Sequence, residues 1–90
     1  MINERSHAAG DPDALALSAL AWVLGEPARA ERLLSLTGLT PEVLRDNLTD
    51  RAVLAAVLEF LANHEPDLVL AADALNIDPA ALIAAHESLT

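Results

Sequence analysis

A chain of 90 residues with 14 acidic and 5 basic side chains carries a formal net charge of −9 and has the length of one domain. Ala (19) and Leu (18) supply 37 of its residues, while Lys, Tyr and Cys are absent. The missing Cys excludes disulfides, thiolate metal sites, iron–sulfur clusters and cysteine nucleophiles, and the scarcity of cations weighs against phosphate backbones or anionic membranes as partners.

Ala and Leu are the strongest helix formers, and β-branched Val (5) and Ile (3) are few, so the expected class is all-α. Residues 1–10 carry Glu4 and Arg5 without the basic-then-apolar layout of a secretory signal; a disordered tail is expected there, ahead of one helical domain over 11–90. The longest nearly apolar stretch, Ala14–Leu24, has eleven residues interrupted by Ser18, short of the ~20 needed to span a bilayer. The sequence expectation is a cytoplasmic protein.

Helices are predicted over 12–24, 27–37, 41–47, 51–62, 66–75 and 79–87. Five Pro residues (12, 27, 41, 66 and 79) open five of them, because the first helical turn needs no N–H partner. Asp11, Thr40, Asp50 and Asp78 are suited to cap the starts, Glu26 and Glu65 less so. Gly25, Gly38, Asn63 and Asn76 stand where the preceding helices should stop, as residues tolerant of left-handed backbone. In the first helix Leu17, Leu20 and Leu24 recur at helical spacing. The fourth helix has only Glu59 as a charge between Ala52 and Ala62, which suits a buried central helix or an oligomer seam. The fifth bears Asp67 and Asp73 on an otherwise apolar cylinder and is expected to be nearly as buried. The predicted core comprises Leu17, Leu20, Trp22, Leu24, Leu33, Leu36, Leu44, Leu54, Leu58, Phe60, Leu61, Leu68, Leu75 and Leu82.

The chain also resembles itself at a shift of about 38 residues. Leu20–Pro27 lies against Leu58–Pro66 with one extra residue in the second copy, which pairs Trp22 with Phe60. Gly38-Leu39-Thr40-Pro41 and Leu44 then lie against Asn76-Ile77-Asp78-Pro79 and Leu82 without a gap. The reading is a compact six-helix bundle in two similar three-helix halves, about 12–47 and 51–87. Two copies are too few for a solenoid with a concave binding face.

Leu70–Ala85 has the spacing of a helix-turn-helix. A recognition helix must offer donors to base edges and cations to phosphates; here it offers Ala80, Ala81, Ala84, Ala85 and Glu87, and residues 52–90 hold six acids and no Arg or Lys. An αα-corner is the better reading, and no nucleic-acid partner is expected. His64-Glu65 and His86-Glu87 lack the spacing that would bring three metal ligands onto one helix face, and His7 falls in the tail. The Ser residues have neither a nearby base nor nucleophile-elbow glycines. No enzyme activity, cofactor or metal is expected. Four of the five Arg residues lie in 29–51, balanced there by acids. Arg29 and Arg32 are i,i+3 on the second helix and are the best candidates for a polar contact.

Leu15–Leu24, Glu26-Pro27, Glu31-Arg32-Leu33-Leu34, Leu36-Thr37-Gly38-Leu39 and Ala55–Leu61 together carry the patterns W-x-L-x-x-P, E-R-L-L and L-T-G-L. In these the chain resembles a family of small bacterial all-helical proteins known only as a domain of unknown function, over about residues 13–88. The resemblance implies a stand-alone cytoplasmic domain and transfers no catalytic or binding residue.

These readings favour a non-catalytic protein-interaction or adaptor module, with an unidentified protein partner or a second copy bound through the first or fourth helix. Val53 and Val57 are the candidate seam residues on the fourth. The alternative is a small hydrophobic-ligand binder with a Leu/Ala-lined core cavity. A Leu-lined cavity above ~300 Å³ favours that alternative, and a solid core opposes it.

Overall fold

The computed structural model describes residues 11–90, so the tail expected over 1–10 lies outside the described residues. Six helices follow in order: α1 Pro12–Leu24, α2 Pro27–Thr37, α3 Pro41–Asp46, α4 Arg51–Ala62, α5 Glu65–Leu75 and α6 Pro79–Leu89. There is no strand among the described residues. The all-α architecture and the position of every helix agree with the sequence reading.

The local signals act largely as their chemistry dictates. Asp11, Thr40 and Asp50 accept from the backbone N–H groups of Asp13, Val43 and Ala52 at 3.1, 3.1 and 2.9 Å, each satisfying one donor that a helix start leaves free. Asp78 and Glu26 stand at N-cap positions without such a bond. Glu65 is already helical, and His64 occupies the cap in its place.

The four stop residues divide into two kinds. Gly38 (φ +77°) and Asn76 (φ +60°) are left-handed. Gly25 (φ −71°) and Asn63 (φ −85°) remain right-handed, which corrects the expectation for those two. The distinction follows the internal repeat: Gly25 pairs with Asn63 by register, and Gly38 with Asn76. Both halves thus make a tight right-handed corner first and a left-handed one second.

The core corrects the expected faces. In α1 the buried residues are Leu15, Ala16, Ala19, Leu20 and Val23, while Leu17 and Leu24 are 37% and 46% exposed. Leu36, also read as core, is 73% exposed, and Trp22 and Leu75 pack at the core's margin. The remaining nine predicted core residues are buried. Helix α4 buries Val53, Leu54, Val57, Leu58, Phe60 and Leu61 beneath the chain's own α1, α2, α5 and α6. Helix α5 is less covered than expected, with Val69 and Leu70 at the surface.

Packing relates the halves only in part. Helices α1 and α2 pack together, as do α4 and α5, and the cross-half pairs α1–α5 and α2–α4 pack to a similar extent. The third helices differ. α6 packs against α1, α4 and α5, whereas α3 has no comparable neighbour among the described residues. α5 and α6 meet at 104°, and α6 turns Leu82, Ala85 and Leu89 into the core. No single helix among the described residues is long and apolar enough to cross a membrane.

Candidate functional site

Three features bring together side chains that could act. The first is built on Arg29, one of the two arginines singled out from the sequence. Its guanidinium lies 3.7 Å from the centroid of the Trp22 ring. It donates 2.7 Å to the Trp22 carbonyl and pairs with Glu26 Oε1 at 2.9 Å, while its Nε is buried without a partner. Stacking and donation together clamp the α1–α2 corner. Arg29 therefore makes these polar contacts within the chain.

The second feature joins α2 to α5. Arg32 donates to the carboxylate of Asp67, the one buried charged residue among those described. His64 Nε2 is 3.8 Å from the same oxygen. Asp67 also lies in the first turn of α5, where a helix's N-terminal dipole favours negative charge. Beside this ion pair is a cavity of about 450 Å³ lined by Leu36, Thr37, Ala56, Glu59, Phe60, Asn63 and His64. The Thr37 hydroxyl is occupied locally, donating to the Leu33 carbonyl at 2.6 Å and accepting from the Leu39 N–H. Among the described residues, no three His, Asp or Glu side chains are grouped so as to hold a metal ion.

The third feature is a groove of about 420 Å³ between the end of α1, α2 and α3. It is lined by Leu24, Ala30, Leu34, Pro41, Leu44, Arg45 and Leu48. Pro41, Leu44, Arg45 and Leu48 fall at i, i+3, i+4 and i+7, one side of a helical path. The groove exists because α3 stops early. Asn47 ends it, with its N–H on the Leu44 carbonyl and its side-chain amide donating to the Val43 carbonyl at 2.8 Å. The chain then turns to Asp50, the cap of α4. Among the described residues Arg45 is the groove's single charged lining residue.

The other two residues put forward from the sequence, Val53 and Val57, lie inside the chain, at 8% and 0% exposure. They form core rather than an open seam, because α4 is covered by neighbouring helices of the same molecule. Sequence reasoning missed the buried position of Asp67 and the groove around Arg45. The signal for the groove was present in the repeat: cap-Pro-x-x-Leu occurs at 40–44 and 78–82, but Asn47 follows the first copy where helix-forming Ala85 follows the second.

Residues 9–90 match the family described as "Protein of unknown function (DUF3572)". The chain belongs to that family. No curated protein and no solved structure matches this DUF3572 member. The family match agrees with the resemblance carried by the tryptophan–proline and L-T-G-L patterns of α1 and α2, and it spans both halves of the repeat.

Proposed function

We propose that this DUF3572 protein is a non-catalytic binding module that takes a small hydrophobic ligand in the groove beneath α3. The observation that carries the reading is the placement of uncovered apolar surface. Leu24 and Leu48, 46% and 40% exposed, line one concavity with Leu34 and Leu44. Apolar side chains scattered singly over a surface need no function. Four leucines around a volume of about 420 Å³ match a small-molecule site, typically ~300–1,000 Å³, mostly apolar, with few polar groups. The concavity is at the edge of the bundle, not in its core as the sequence suggested.

The neutral dye Nile red tests this reading. Saturable binding by the native protein, weakened about tenfold or more in a folded Leu24→Asn/Leu48→Asn double variant, supports it. Undiminished binding by that variant contradicts it.

A protein partner, which the sequence ranked first, is favoured by a separate observation. Val69 and Leu70, consecutive on α5, are 47% and 54% exposed and lie outside the groove. If this part of α5 joins two copies, light scattering will show twice the monomer mass. Leu70→Asp will then restore the monomer and Leu48→Asn will not.

A further inference from the structure

We infer that the groove beneath α3 selects a ligand with an apolar chain and an anionic head, of the straight-chain carboxylate class, with Arg45 holding the head. The inference rests on the groove reading above and adds the ligand's chemistry to it. It starts from what the arginines do. Arg29 is engaged with Glu26 and the Trp22 carbonyl, Arg32 with Asp67, and Arg51 with the Ser88 carbonyl at 2.8 Å. Arg45 alone among the four described arginines has no side-chain ion pair or hydrogen bond among the described residues. It is also the one that lines the apolar groove.

Among the described residues no acid lines the groove, although the chain as a whole is strongly acidic. Glu42 and Asp46, its neighbours on α3, do not come within ion-pair distance of Arg45. A guanidinium presents a fork of donors that matches a carboxylate in two parallel bonds. The apolar walls leave nothing else for a ligand's polar atoms to bind. Leu24, Leu34, Leu44 and Leu48 would cover the chain, each buried methylene adding to affinity. A hydrophobic cation would lose its hydration against Arg45 and gain no counter-charge.

Three twelve-carbon probes separate the possibilities: dodecanoate, 1-dodecanol and dodecyltrimethylammonium, each below its micelle concentration. Calorimetry would give affinity, and methyl spectra of ¹³C-labelled protein would give location. Dodecanoate should shift the Leu24, Leu34, Leu44 and Leu48 methyls and bind roughly three- to tenfold more tightly than dodecanol, the range of a charged hydrogen bond at a partly exposed site. Arg45→Gln should abolish that preference, and Arg45→Glu should reverse it toward the ammonium probe. Arg45 is exposed, so neither substitution removes core packing. Equal binding of dodecanoate and dodecanol would overturn the carboxylate class while leaving the groove as an apolar site. Failure of all three probes, or shifts confined to residues outside the groove, would overturn the groove reading as well.

Discussion

Helices α3 and α6 begin alike and end differently. Each starts at a cap followed by Pro, and each buries a leucine three residues on, Leu44 at 5% and Leu82 at 1% exposure. After that leucine α6 continues through Ala84 and Ala85 to Leu89 and becomes the helix on which α1, α4 and α5 converge. α3 runs into Asp46 and Asn47, residues that compete with the helix for its own backbone groups, and ends after six residues. One third helix thus completes a core and the other leaves a groove. In a chain built of two similar halves, the place where the copies diverge marks where packing was given up, and among the described residues the only charged side chain lining the gap is an arginine without a side-chain partner.

The difference can be broken most severely on the packed side. Val57→Asp places a carboxylate at a position with no solvent exposure, on the helix that α6 covers, and should cost more than about 4 kcal/mol. Loss of the helical circular-dichroism signal at room temperature would show it, with no need of a partner or second copy. The matched pair Leu82→Ala and Leu44→Ala compares the two third helices directly. The first leaves a cavity among three helices and should cost about 3–4 kcal/mol; the second opens onto an existing groove and should cost about 1–2. Urea titration of both variants would measure the gap, and equal losses would mean that α3 is as firmly packed as α6.

Smaller effects are expected at the contacts that link the halves. Asp67→Ala removes the buried partner of Arg32 and should destabilise by about 1–2 kcal/mol, most of it recovered when Arg32→Ala is added, as a double-mutant cycle would read. The smallest change is at the second corner of the first half. Gly38 and Asn76 hold the same left-handed backbone at equivalent positions, so Gly38→Asn should shift the melting temperature by no more than a few degrees. Gly38→Val, a β-branched residue at φ +77°, should cost about 1–3 kcal/mol.

Much of this fold was legible in the sequence because its punctuation is chemical. Pro at a helix start and a short polar side chain before it have local effects that do not depend on neighbouring helices, and all six starts fall within a residue of where they were read. The burial faces were less legible. In so Ala- and Leu-rich a chain most faces of a helix are apolar, so periodicity could not choose between Leu17–Leu24 and the buried stripe of Leu15, Ala16, Ala19, Leu20 and Val23. Ala16, Ala19, Ala71, Ala72 and Ala85 are buried where helices lie close together, a role that hydrophobic periodicity ranks below that of leucine. Arg29 and Arg32, put forward for contact with a partner, bond Glu26, the Trp22 carbonyl and Asp67 within the chain, pairings that depend on packing and could not be read from spacing. Arg45 was one charge among several until the groove gave it a setting.

On the proposed reading the α3 end of the bundle is open in the free protein and is filled by a ligand. Native-state amide hydrogen exchange tests this most directly, with the first and second halves serving as each other's control. Slow exchange is expected at the Leu82–Leu89 amides of α6 and fast exchange at the Leu44–Asn47 amides, with dodecanoate slowing the latter and leaving the former unchanged. If α3 is protected as strongly as α6 in the free protein, or if its exchange is indifferent to dodecanoate, the claim is contradicted.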